Sequence, residues 1–337
     1  MARVLQVDRA LPERGTEDRS AAPRILYLDQ NAWIVLARGA WDKSAYPAEH
    51  AALSTVIGVV RTGAAIVPLS FTNLYETMKI NDPARRAAMA HTQAVISGGR
   101  VFRGRRRIFG DTLAAYLATR FGFREPPRAE LWFLSDLFFE AAADHSPELF
   151  GFEISQRVVE FIRRRPAEAL FDYLALSDEE VRLEAVRRYS ASSTDLIAAI
   201  EARRALVAGE SFAMRRRVYG ARLIIDEIEF ILAAGRKLGL AWKDVRDVGG
   251  SLLRALTVDV PILRAERELV IRLEDQARAV TENDLRDMSA FTAVLPLADV
   301  VVAEKPFVNL AKQARLGELY GTSMLTSIFE LESAMLT

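Results

Sequence analysis

At both ends of this chain, short uninterrupted apolar runs that stop at a polar residue alternate with stretches of helical periodicity. Ile25-Leu26-Tyr27-Leu28 ends abruptly at Asp29-Gln30-Asn31, and Trp33, Leu36 and Ala37 then share one helical face. That pattern predicts a buried strand feeding a helix. A second helix over 47–61 leads through Gly63 into the apolar run Ala64 to Leu69, and a further helix begins near Ser70 or Thr72. Asn81-Asp82-Pro83 caps the next helix, Ala84 to about Ile96, which Ser97-Gly98-Gly99 ends before Arg100-Val101-Phe102. Near the C-terminus Asp287 opens a helix through Phe291 and Val294 that Pro296 stops. Asp299 to Ala303 then forms a third buried strand, and Glu304-Lys305-Pro306-Phe307 starts another helix. A last edge strand is expected between Gly317 and Met324, with a closing helix near Ser327 to Met335. Strands alternating with helices predict a parallel α/β sheet.

Between about Asp111 and Val280 the periodicity is helical almost throughout and no strand is expected. Leu131-Trp132-Phe133-Leu134 with Leu137-Phe138-Phe139 reads as one strongly apolar helix. Ile224 and Ile225 with Ile228, Phe230, Ile231 and Leu232 read as another, and their packing would give this block its own core. The expected organisation is a tail over 1–23, a first α/β segment over 24–110, an all-helical insertion over 111–279 and a second α/β segment over 280–337. There is no internal repeat or low-complexity segment.

Composition narrows the chemistry. Half of the 337 residues are hydrophobic and 27% are charged, enough for a sizeable core without staples. Cysteine is absent and histidine is limited to His50, His91 and His145, so any metal is expected to be a hard cation held by oxygen. The formal net charge is zero, so no global field draws the chain to nucleic acid or anionic lipid. The polar first two dozen residues and the lack of a long apolar stretch lead us to expect a cytoplasmic protein without a membrane partner.

Open parallel sheets place their sites beyond the carboxyl ends of strands. Asp29 and Glu304 occupy that position, Glu76 lies one to two turns into the helix after the second strand, and Asp287 begins the helix before the third. Carboxylates gathered in one place repel, and each tends to take up a proton unless a divalent cation compensates them. A cluster of these acids therefore implies Mg²⁺ or Mn²⁺, which can activate a water against a phosphodiester.

Leu28-Asp29-Gln30-Asn31-Ala32-Trp33 resembles the first strand and helix of the PIN-like nucleases, which commonly carry Asp-x-Asn there. Pro68-Leu69-Ser70 through Tyr75-Glu76-Thr77 is similar to that family's second-acid helix, and Asn283-Asp284-Leu285-Arg286-Asp287 to its third-acid turn. Leu295 to Lys305 is similar to its late strand, which ends in an acid followed by lysine. The resemblance covers roughly 24–110 and 280–330. It implies a PIN-like parallel sheet interrupted by a large helical insertion, and a metal-dependent endoribonuclease. Asp29, Glu76, Asp287 and Glu304 would be the metal-site acids, with Asn31 orienting a carboxylate or water. Asp284, one turn from Asp287, competes for the third role, and Asp299 is the weaker candidate because it enters its strand at the opposite end. Glutamate stands at 304 where the family more often has aspartate.

Each residue also has a plainer reading. Asp29 and Asp287 would serve as helix caps, Glu76 as a solvated carboxylate, and Glu304 as a surface acid beside Lys305. Arg103, Arg105, Arg106 and Arg107, with Arg100, form a basic run that would either track a phosphate backbone or cover acidic neighbours. RNA is the expected substrate, and a second copy or a regulatory protein is the expected partner of the helical block. The alternatives are a noncatalytic PIN-like scaffold and a structure-specific DNA nuclease.

Overall fold

The computed structural model describes residues 22–125, 127–142, 154–276 and 278–335, apart from the side chains of 188–196, 333 and 335. Residues 1–21, most of the expected tail, and His145 lie outside the described residues. Strand β1 (Arg24–Leu28) is the centre of the fold. Successive side chains of a strand point to opposite faces. Ile25 and Tyr27 accordingly enter one core, while Leu26 and Leu28 enter the other. A strand buried on both faces must be apolar at every position, which is why it reads as a continuous run. β1 pairs with β2 (Ala65–Ile66) on one side and with β5 (Val300–Val302) on the other, with Leu28 opposite Val302. β6 (Ser323–Leu325) pairs with β5, giving a parallel four-stranded sheet in the order β2-β1-β5-β6. Beyond β2 the ladder continues, because Leu69 donates to the Arg100 carbonyl and accepts from the Phe102 amide, at 3.0 and 2.8 Å. This joins β3 (Val101–Phe102), which pairs antiparallel with β4 (Leu134–Ser135).

Local chemistry fixes the helices. Asp29 caps α1 (Gln30–Trp41), and Ser70 with Asn73 forms a capping box on α3 (Phe71–Met78). α2 (Pro47–Arg61) lies between them. Asp82 caps α4 (Pro83–Ser97), which Gly98 ends in the left-handed conformation. The helix expected to open at Asp287 begins a turn and a half earlier. Thr281 and Asp284 form its capping box, so α13 runs Glu282–Val294 and Asp287 stands in its second turn. Capping chemistry in Thr281-Glu282-Asn283-Asp284 takes precedence over the cap expected at Asp287.

In the middle of the chain run α5 (Arg105–Phe121), α6 (Gln156–Arg164), α7 (Pro166–Leu176), α8 (Glu179–Leu206), α9 (Phe212–Lys237), α10 (Val245–Val248), α11 (Gly250–Asp259) and α12 (Pro261–Glu274). The apolar helix expected over Leu131 to Phe139 is instead a turn, strand β4 and a short 3-10 turn, Phe138–Ala141. Leu134 and Ser135 pair with β3, and the Ser135 hydroxyl accepts from the Leu137 amide, so the run is bent back on itself. Ile224, Ile231 and Leu232 of α9 are buried, whereas Ile225 is exposed. Apart from a small cluster of Leu137, Ile162 and Ala169, the described middle helices share their core with the sheet. Leu223, Leu256, Leu263 and Leu269 are continuous with Ile25, Tyr27 and Val301 of the sheet, and Leu170 and Leu174 of α7 join the core of α1, α2 and α4 on the opposite face. Gly99 marks the second junction, with a φ of +81° and no room for a Cβ against the Pro166 and Ala167 backbone. No helix among the described residues is long and apolar enough to cross a membrane.

Candidate functional site

The carboxyl ends of β1 and β5 lie side by side, and the Asp29 amide donates to the Val302 carbonyl at 2.9 Å. This places Asp29, the residue after β1, beside Glu304, which stands at the start of α14 (Lys305–Gln313) after β5 and makes no side-chain capping bond to it. α13 brings Asp287 into the same field. Burial, then the charges of Glu304 and Asp29, push the Asp287 carboxyl up to about 7, and Arg286 opposes them. Asp29 is pushed up to about 6 by burial, against the amide of Ala32, with Glu304 adding to the rise. The Ala32 N–H reaches its Oδ1 at 2.9 Å, so Asp29 caps α1 and belongs to the acidic group at once. Glu304 is exposed, and Asn31 Nδ2 donates to its Oε1 at 2.7 Å. Three acids from distant parts of the sequence therefore meet electrostatically at one sheet edge.

Glu76 is placed differently. Its carboxylate pairs with Arg286, whose side chain is 4% exposed against 26% for Glu76. Arg286 also lies over the Tyr75 ring at 5.5 Å and within 3.8 Å of Glu282. Burial pulls this guanidinium below the usual arginine range, opposed by Tyr75 and Asp287. Glu76 is thus tied to the group through Arg286, the neighbour of Asp287. Asp284 has structural partners only: Arg278 at 2.5 Å and the Thr281 amide and hydroxyl, both at 2.8 Å. These hold its carboxyl below the usual range despite burial. Asp299 sits at the opposite end of β5, where its Oδ2 accepts from the Ile25 amide at 2.7 Å and aligns the two strands.

Several residues that shape this edge carry no motif in the sequence. Tyr27, on the same face of β1 as Asp29, is buried. Burial pushes its phenol up; a hydrogen bond with Ser70 opposes the rise, and the Asp29 and Asp287 charges add to it. Asn73 is completely buried, accepting from the Ser70 amide and hydroxyl at 2.9 and 3.0 Å and donating to the Leu28 carbonyl at 3.2 Å. It latches the start of α3 to the end of β1. Gln30, Thr77 and Gln93 form a polar ring beside it, with Thr77 donating to Gln93 at 2.9 Å. The one signal available for these residues was polarity at positions where helical periodicity called for an apolar side chain.

The basic run turns toward the helical block. Arg103 pairs with Glu140 at 3.4 Å, Arg105 with Glu227 at 2.8 Å and with Glu266, Arg106 with Glu227 at 2.6 Å, and Arg107 with Asp111 at 2.8 Å. Arg106 also stacks over Phe230 at 4.4 Å. Of the two readings of this run, the structure displays the one in which it covers acidic neighbours, while Arg106 keeps 55% of its side chain exposed.

Among the described residues, no three His, Cys, Asp or Glu side chains stand close enough together to form a finished metal-ligand set. The donor chemistry nevertheless fits a hard divalent ion. Asp29, Asp287 and Glu304 offer only oxygen, and two of them are driven toward protonation by burial and by one another, the condition that a cation relieves. No family model, no curated protein and no solved structure matches the chain.

Proposed function

We propose that this chain is a PIN-like, divalent-metal-dependent nuclease that hydrolyses RNA phosphodiester bonds at the edge formed by Asp29, Asp287 and Glu304. The observation that carries this reading is the placement of three carboxylates beyond the carboxyl ends of β1 and β5, where burial first and their mutual charge second raise Asp29 and Asp287 toward neutrality. Bound Mg²⁺ or Mn²⁺ would supply a water of lowered pKa and neutralise the charge that develops on the phosphate. Asp29, Asp287 and Glu304 would hold the ion, and Asn31 orients Glu304 through its hydrogen bond. Arg286 balances Glu76 beside Asp287, so Glu76 acts as a positioning residue for α13. RNA as the substrate rests on the resemblance of the Asp29, Glu76, Asp287 and Glu304 segments to the PIN-like family. The helical middle would select the substrate, bind a second copy or receive a regulatory protein.

A noncatalytic PIN-like scaffold is the second reading, favoured by the engagement of Glu76 with Arg286 and by the absence of a finished ligand set among the described residues. Calorimetric titration with Mn²⁺ separates the two. The nuclease reading expects binding that Asp29→Asn removes, whereas the scaffold expects no binding to either protein. RNA and DNA oligonucleotides of one sequence, compared at one salt concentration, decide whether the substrate is instead structured DNA.

A further inference from the structure

On the helical side of the molecule, one buried carboxylate is surrounded by arginine. Glu268 on α12 is 2% exposed. Its Oε1 accepts from Arg216 Nε at 2.8 Å and from Arg267 Nε and Nη2 at 3.0 and 2.8 Å, and its Oε2 accepts from Arg272 Nη1 at 2.8 Å. Arg267 reaches on to Thr257 Oγ1 at 3.2 Å. Burial alone would raise the Glu268 carboxyl, and the bonds from Arg272 and Arg216 hold it below the usual range instead. Arg264 stands four residues before Glu268 on α12 and so shares its helix face, a fourth guanidinium that, adding to burial and Arg216, lowers Arg267 against the pull of Glu268.

These charges do not balance. Three guanidiniums share one carboxylate among the described residues, which leaves two positive charges over before Arg264 is counted. Arginine does not lose its proton in proteins, so the cluster cannot neutralise itself as crowded lysines would. Of the neighbouring acids, Glu266 and Glu227 pair with Arg105, Asp226 with Arg222, Glu274 with Arg203 and Asp275 with Arg215, while Glu229 of α9 is exposed. Arg216 keeps 45% of its side chain open, which gives the cluster access to solvent. Forked, permanently charged donors around a partly enclosed positive excess suit the oxygens of a phosphate, which guanidinium binds through paired hydrogen bonds.

We propose that Arg216 and Arg267, held in place by Glu268 and Thr257, form with Arg264, one turn before Glu268 on α12, a binding site for a phosphate group on α9 and α12, apart from the acidic edge. The group is either part of a nucleic acid backbone or part of a soluble phosphorylated ligand. The two sources share the contact, since two charge-assisted bonds to phosphate oxygens serve both. The site needs no catalysis, so its fate is separate from that of the nuclease reading.

The test is calorimetric titration of the full chain with inorganic phosphate in EDTA, alongside anisotropy of a labelled single-stranded RNA. The proteins are the unmodified chain, Arg216→Gln with Arg264→Gln, the exposed control Arg217→Gln, and Asp29→Asn. Phosphate should bind to the unmodified chain, to Arg217→Gln and to Asp29→Asn. The double variant should bind it at least about tenfold more weakly, the effect of losing one charge-assisted hydrogen bond. RNA displaced by phosphate identifies the backbone as ligand, and phosphate binding without RNA competition identifies a soluble one. Circular dichroism shows whether the double variant is folded; if it is not, Arg216→Lys, which keeps the charge and loses the fork, should weaken binding in its place. Absence of phosphate and RNA binding by the unmodified chain overturns the proposal, as does equal loss in Arg217→Gln.

Discussion

The acids at the carboxyl edge of the sheet set a pH dependence whose sign can be worked out residue by residue. Asp29 and Asp287 have carboxyls raised to about 6 and about 7 in the folded chain, against about 4 in an unfolded one. Between these values the folded form holds more protons than the unfolded form, so stability contributed at low pH is lost as pH rises through 4 to 7. Metal-free protein should show a falling melting temperature over that range. Asp287→Asn should flatten the fall, and saturating Mn²⁺ should reverse it at pH 8. A second residue-scale expectation concerns Glu76. Glu76→Ala takes the nearest carboxylate from the buried Arg286 and leaves it with Glu282 at 3.8 Å and the charge of Asp287, a change that costs up to about 3 kcal/mol in urea denaturation. Loss of activity in that variant would therefore reflect stability as well as the site, and Glu76→Gln is the cleaner probe. The position of Asp29 was legible in the sequence because it follows the unbroken apolar run Ile25 to Leu28. The engagement of Glu76 with Arg286 was not, because the partner comes from a helix more than two hundred residues away, and no local pattern encodes it.

At the scale of elements, legibility follows the strength of local signals. The helix over Pro47–Arg61 has the bounds that its periodicity gives, with proline at its start and glycine soon after its end. The start of α13 did not, because two acidic residues three positions apart both resemble caps and the Thr281 capping box decides between them. Leu131 to Phe139 failed for a different reason: a short apolar run looks alike in a buried helix and in a strand, and the pairing of β4 with β3 decides the outcome. The junction of α4 with α7 offers a direct test. Gly99 adopts a φ of +81°, and a Cβ there would stand 2.3 Å from the Pro166 carbonyl carbon. Gly99→Ala should cost more than about 1 kcal/mol in a denaturant titration, from the left-handed backbone alone. An unchanged midpoint would mean that α4 and α7 are not packed as described.

For the molecule as a whole, the notable point is how the helical middle joins the sheet. A self-contained insertion would have its own core and a removable boundary. Here Ile25 and Tyr27 of β1 share a core with Leu256, Leu263 and Leu269, and the basic run Arg105-Arg106 is fastened to Glu227 and Glu266 across the same join. Deleting 111–279 should therefore yield insoluble or molten protein and not a minimal nuclease, which size-exclusion chromatography and near-ultraviolet circular dichroism would register. The acidic edge and the arginine cluster around Glu268 are thus parts of one packed body.

The most direct test of the central claim is cleavage of total RNA by the unmodified chain and by Asp29→Asn, each with Mn²⁺ and with EDTA. The account predicts fragmentation by the unmodified chain with Mn²⁺ alone, and none by the folded variant under either condition. Fragmentation by Asp29→Asn at the unmodified rate, or fragmentation that persists in EDTA, would contradict it.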